Sequence, residues 1–116
     1  MAHIDEPIIP DRSLTYASYL KVDELLSLQT TLNKPPAHDE MLFIIIHQVY
    51  ELWFKQILNE LEHAARSLQA NQNLPFLRSI KRVVTIQRLL NQQVDILETM
   101  TPSDFNEFRD NLNPAS

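Results

Sequence analysis

The longest apolar run of the chain is Met41 to Phe54, interrupted only by His47, Gln48 and Glu51. At 100° per residue its hydrophobic side chains cover every face, which predicts a helix buried all round. Asp39 is a plausible N-cap for it, and helix-compatible sequence continues to about Ala70. Beyond Leu61 the pattern turns polar, so that half is expected at the surface. Asn71-Gln72-Asn73 breaks the run; Asn73 can cap a second long helix, with Pro75 in its first turn. Apolar residues at 76, 77, 80, 83, 84, 86, 90, 94 and 97 give that helix, 74–99, a single stripe. Two long helices joined by a short polar break predict an antiparallel hairpin.

Shorter elements flank the hairpin. Leu14 to Leu20 can form a helix capped by Ser13 or Thr15. Val22 to Thr31 has apolar residues at 22, 25, 26 and 28, a one-sided helix that Asn33-Lys34-Pro35-Pro36 stops. Thr101-Pro102-Ser103-Asp104 combines a cap, a first-turn proline and a first-turn acid, which predicts a last helix over 102–112. Asn113-Pro114 ends it. Residues 1–12 show no period and are expected to form an N-terminal arm, leaving 13–116 as one helical domain. The predicted fold class is all-α: a helical bundle with two long antiparallel helices plus shorter N- and C-terminal helices.

Composition narrows the function classes. The 116 residues are 44% hydrophobic and 22% charged, which suits a single globular core. The net charge of −5 argues against a nucleic-acid or anionic-membrane partner. Arg78, Lys81, Arg82 and Arg88 fall together nonetheless, and read as a solvated basic face. The chain has no cysteine, so neither a disulfide framework nor a thiolate metal site is expected. It also has no glycine, which excludes glycine-rich phosphate loops, dinucleotide fingerprints and glycine nucleophile elbows. The apolar run is too short for a membrane span, and the N-terminus lacks a signal-peptide pattern.

Candidate chemistry centres on one helix face. Phe43, His47, Tyr50 and Phe54 share a stripe, which could line an aromatic pocket with one imidazole for a flat apolar ligand. The spacing equally suits a core histidine bonded to a neighbouring carbonyl, and alone it favours that reading. Arg109 lies beside Phe105 and Phe108, and could fork onto a carboxylate or make an ordinary surface ion pair with Glu107, Asp110 or a residue elsewhere. Glu60 and His63 have the Glu-x-x-His spacing of di-iron bundles, but no second copy exists, so exposed polarity is the expectation. Tyr16 and Tyr19, with Leu20, form a small aromatic face suited to packing or docking.

Three segments carry a resemblance: LTYASYLKVDELLSLQ at 14–29, HDEMLFIIIHQVYELWFKQILNEL at 38–61 and MTPSDFNEFRDNLNPAS at 100–116. Together they resemble the N-terminal part of the tryptophan 2,3-dioxygenase family. The resemblance implies a haem enzyme that inserts both atoms of dioxygen across the indole C2–C3 bond of L-tryptophan, giving N-formylkynurenine. It implies His47 as the distal histidine that accepts the indole N–H, and Phe43 and Phe105 as walls of the substrate pocket. It implies Arg109 as the partner of the substrate carboxylate, and Tyr16, Tyr19 and Leu20 as residues that reach a neighbouring subunit's site. The implied assembly is a cytoplasmic homotetramer. The family's haem-ligating histidine matches none of His3, His38 or His63, so no metal ligand is expected in this chain, and the chain alone is expected to be inactive. The alternative is a non-catalytic helical module for self-association or partner binding.

Overall fold

The computed structural model describes residues 13–35 and 37–112. The expected arm at 1–12, His3 and the Asn113-Pro114 stop lie outside the described residues. All regular structure among the described residues is helical: α1 (Tyr16–Leu20), α2 (Val22–Leu25), α3 (Glu40–Gln69), α4 (Asn73–Leu97), α5 (Pro102–Asn106) and a 3-10 helix (Arg109–Leu112). The chain divides into two compact units, Met1–Thr30 and Thr31–Ser116.

In the first unit, Thr15 caps α1 through a reciprocal capping box with Ser18, as its residue type predicts. Lys21 takes a left-handed conformation (φ 53°) and separates α1 from α2. A non-glycine residue there costs about 1–2 kcal/mol. The helix expected over 22–31 ends at Leu25. Ser27 Oγ donates to the Glu24 carbonyl at 2.6 Å and Gln29 Nε2 to the Leu25 carbonyl at 2.8 Å. These side chains take carbonyls that a continuing helix would use. Residues 13–21 are exposed throughout.

In the second unit, α3 and α4 pack on each other as the expected hairpin. α3 has 30 residues, about 45 Å at 1.5 Å per residue. Its end is a Schellman motif: Gln72 N–H donates to Ser67 O at 2.8 Å and Asn71 N–H to Leu68 O at 3.1 Å. Asn71, at φ 57°, occupies the left-handed position that glycine usually holds. Asn73 is therefore already helical, not the expected cap; Gln72 precedes α4 without a side-chain capping bond. Asp39 likewise makes no side-chain capping bond, because its own backbone is helical.

The seam between the helices runs in three- and four-residue steps. The buried or half-buried positions include Phe76, Ser79, Val83, Ile86, Leu90, Gln93 and Leu97 on α4, and Ile46, Val49, Trp53, Gln56, Glu60, Ala64 and Ser67 on α3. This is the spacing of a coiled-coil seam. Burial along it departs from the expectation in both halves. Within Met41–Phe54 only Ile46 is buried, because α4 covers one face alone; Met41, Ile45, Leu52 and Phe54 are exposed. Beyond Leu61, expected at the surface, Ala64 and Ser67 are buried where α3 packs on α4. Leu77, Val84 and Val94, read as part of the stripe, are exposed, and polar Ser79 and Gln93 stand in their place. The Gln93 side-chain oxygen is buried without a partner, and the structure offers no physical account of it.

Candidate functional site

The site assembles where the start of α3 meets α5 and the 3-10 helix. Thr101 caps α5: Asp104 N–H donates to Thr101 Oγ1 at 3.1 Å, and Thr101 N–H donates back to Asp104 Oδ2 at 2.9 Å. The Thr101 backbone N–H, and after it the Thr101 side chain, holds the Asp104 carboxyl below its ordinary range. The helix expected over 102–112 breaks after Asn106. Glu107, Phe108 and Asn111 donate three residues back instead of four, which tightens the chain into a 3-10 turn. That tightening turns Phe108 inward, and it is 1% exposed.

Phe108 anchors an aromatic cluster. Its ring centroid lies 5.4 Å from Phe43 and 5.4 Å from Phe105, edge-on to both. Phe43 and Phe105 are 5.7 Å apart, and His47 tilts over Phe43 at 4.3 Å. These separations suit the quadrupole attraction of aromatic rings. Phe43, His47 and Phe105, chosen from the sequence as site residues, are thus brought together. Phe108, placed by the sequence beside Phe105 and Arg109 but not among the site residues, is the buried centre of the cluster. The stripe 43, 47, 50, 54 splits. Tyr50 stacks with Phe54 at 6.1 Å, and its hydroxyl donates to the Leu90 carbonyl on α4 at 2.9 Å. An apolar hollow of about 390 Å³ opens beside the cluster, lined by Phe43, Leu97, Met100, Thr101, Pro102 and Phe105. Neither His47 nor Arg109 lines it.

His47 is exposed and not a core residue. Its Nδ1 lies 2.7 Å from the Phe43 carbonyl, four residues back. A carbonyl can only accept, so Nδ1 carries the hydrogen and the neutral ring keeps its lone pair on Nε2. The side chain therefore offers an acceptor next to an aromatic surface. Arg109 is exposed and reaches only Asn106 Oδ1, at 3.4 Å. The expected surface ion pair with Glu107 or Asp110 is absent among the described residues. Its fork is open to an external carboxylate.

Buried Glu40 fixes this end of the molecule. Leu32 N–H donates to its Oε2 at 2.7 Å, and Asn33 donates to Oε1 from its side chain at 3.0 Å and its backbone at 3.3 Å. Burial opposes the charge of Glu40, but these bonds outweigh it and hold the carboxyl below its ordinary range. Asn33 Oδ1 in turn accepts from Asn111 Nδ2 on the 3-10 helix. The segment read only as a helix stop thus ties the start of α3 to the turn that carries Arg109.

A model of the tryptophan 2,3-dioxygenase family matches residues 8–116. The chain is similar to the tryptophan 2,3-dioxygenase of Herpetosiphon aurantiacus, with 57% identity over 90% of this chain and 40% of that protein. It shares 52% identity with that of Nocardioides sp., over 89% of this chain and 40% of the relative. With that of Dictyostelium discoideum it shares 46%, over 99% of this chain and 32% of the relative. The chain therefore spans about 40% or less of the length of these curated relatives. With the match covering nearly all of its length, this chain belongs to the tryptophan 2,3-dioxygenase family.

Proposed function

We propose that this chain forms the substrate-facing part of a haem-dependent tryptophan 2,3-dioxygenase, which converts L-tryptophan and dioxygen to N-formylkynurenine. The observation that carries the reading is the 2.7 Å contact of His47 Nδ1 with the Phe43 carbonyl. With Nδ1–H given to the Phe43 carbonyl, Nε2 is the acceptor that an indole N–H requires. Phe43 and Phe105 supply flat apolar surface for the ring, and the unpaired guanidinium of Arg109 supplies the carboxylate contact. Each group meets a different part of one zwitterionic amino acid, which is how such a substrate is oriented.

Haem, when bound, supplies the dioxygen chemistry. The residues here suit a substrate pocket more than an iron ligand set. The family resemblance assigns the axial ligand to a histidine that none of His3, His38 or His63 matches, and His47 Nε2 is assigned to the substrate. In the complete subunit, Arg109→Lys should weaken tryptophan binding by about 1–3 kcal/mol, because lysine keeps the charge and loses the planar fork. Haem content should not change. An equal loss of haem would make Arg109 a structural residue.

The family resemblance also supports a cytoplasmic homotetramer with Tyr16, Tyr19 and Leu20 reaching a neighbouring subunit. Their exposure fits that role: Tyr16 is 79% and Tyr19 70% exposed. Replacing both tyrosines by alanine should shift sedimentation toward smaller species while the helical signal persists. Unchanged assembly would remove the pair from the interface and favour the non-catalytic reading of this face. Among the described residues no helix is long and apolar enough to cross a membrane.

A further inference from the structure

The far end of the hairpin carries a second constellation that the dioxygenase reading does not use. Glu60 on α3, expected at the surface, is only 5% exposed. Its Oε2 accepts from Gln56 Nε2 at 2.7 Å and from Arg82 Nη1 at 3.2 Å. Ser79 on α4 is buried, and its Oγ lies 2.7 Å from His63 Nδ1. Two polar pairs, His63–Ser79 and Glu60–Arg82, thus form a relay between α3 and α4.

Above this relay lies an open cleft of about 420 Å³, lined by Asn59, Glu60, His63, Arg66, Pro75, Arg78, Ser79 and Arg82. Three guanidinium groups face it against one carboxylate, in a chain whose net charge is −5. Glu60 is already occupied by its donors. Arg66 and Arg78 make no side-chain hydrogen bond or ion pair among the described residues. Arg78 and Arg82 also line an adjoining shallower hollow with Lys81 and Thr85, which extends the positive field along α4. The residues Arg78, Lys81 and Arg82, read from the sequence as a solvated basic face, thus border a cleft.

We propose that this cleft is an anion-binding site that takes the phosphoryl group of a small phosphorylated molecule. Open guanidinium forks match the oxygens of a phosphate dianion, and the local excess of positive charge matches its charge. The volume exceeds a bare phosphate and falls in the range of small-molecule sites, leaving room for an organic portion. Glu60 is the positioning residue: it orients Arg82 directly.

The test titrates the chain with inorganic phosphate at constant ionic strength, by calorimetry and by ¹⁵N-resolved NMR of the arginine and histidine side chains. Saturable binding is expected, with shifts concentrated at His63, Arg66 and Arg78. Arg66→Gln combined with Arg78→Gln should weaken binding by about tenfold or more, the loss of two charge-assisted contacts. Lys81→Gln, confined to the neighbouring hollow, should change it by less than about twofold through long-range field alone. Succinate is the competing probe and should bind more weakly than phosphate. The proposal fails if binding does not saturate, if Lys81→Gln weakens it as much as the double variant, or if succinate binds as tightly. Because the NMR shifts are read on the unmodified chain, absence of shifts at His63, Arg66 and Arg78 overturns it even where a variant does not fold.

Discussion

The two ends of the α3–α4 hairpin have exchanged the roles their compositions suggest. The end near Met41–Phe54 is the most hydrophobic part of the chain, yet α4 covers one side of it and large apolar side chains face outward. The end near Glu60–Ser67 is polar, yet it buries a carboxylate, two serines and Ala64 against α4. What differs is the packing partner and not the sequence pattern. At the polar end Glu60 pairs with Arg82 and Ser79 with His63 across the seam, so their burial costs little. At the hydrophobic end α4 and, at Phe43, the turn carrying Phe105 and Phe108 are the neighbours among the described residues, and a helix that is apolar all round needs more. Hydrophobicity therefore marks where this molecule can be covered, and polar complementarity marks where it covers itself.

The comparison can be broken most severely at Phe108. Among the described residues it is the one fully buried aromatic side chain, and α5 and the 3-10 turn meet α3 through it. Phe108→Ala should cost about 3–5 kcal/mol in denaturant unfolding. A loss under about 1 kcal/mol would mean that the aromatic end is held by something other than this cluster.

Acidification comes next, and it acts at both ends through Glu40 and Glu60. Burial opposes ionisation of each, but hydrogen bonds win in both, joined by Arg82 for Glu60, and both folded-state values lie below the ordinary 4.5. A depressed carboxyl contributes stability that is fully present above the ordinary value and is lost as pH falls through the folded one. Stability should therefore hold from pH 7 to about 5 and decline below that, by about 1–3 kcal/mol once solvent screening around exposed Arg82 is allowed for. Denaturant midpoints between pH 7 and 2.5 would show it. Glu40→Gln and Glu60→Gln should each flatten the decline, and a stability that rises on acidification would contradict it.

The smallest effect is the sharpest on the comparison itself. Ala64→Leu, in the polar half, adds bulk to a residue that is 3% exposed and should cost about 1–3 kcal/mol. Leu52→Ala removes a large side chain from the hydrophobic run, but the residue is 53% exposed and the change should stay within about 0.5 kcal/mol. Thermal melts of the two variants at equal concentration decide the matter. If the leucine loss proves the costlier, the run is covered in solution by another surface.

Some local chemistry was legible where neighbours in sequence supply both partners, though the caps expected at Asp39 and Asn73 did not form. The capping boxes at Thr15 and Thr101 follow from residues three apart, and the turn at Asn71 follows from a polar break in a chain without glycine. The helices at Glu40–Gln69 and Asn73–Leu97 follow from long uninterrupted periodicity. Phe43, His47, Phe105 and Arg109 were named from the family motifs, and the first three meet in space.

What the sequence could not decide depends on residues far apart in the chain or on side-chain competition. That Asn33 ties Glu40 to Asn111, that Tyr50 leaves the His47 stripe for the Leu90 carbonyl, and that Glu60 finds Arg82 are contacts between separate elements. The early end of α2 and the 3-10 turn after Asn106 depended on which donor captured each carbonyl. Periodicity determined which residues form helices, because a helix satisfies its backbone locally. Which of their faces are buried was decided by tertiary structure, because burial requires a partner surface and no local pattern encodes where that surface lies.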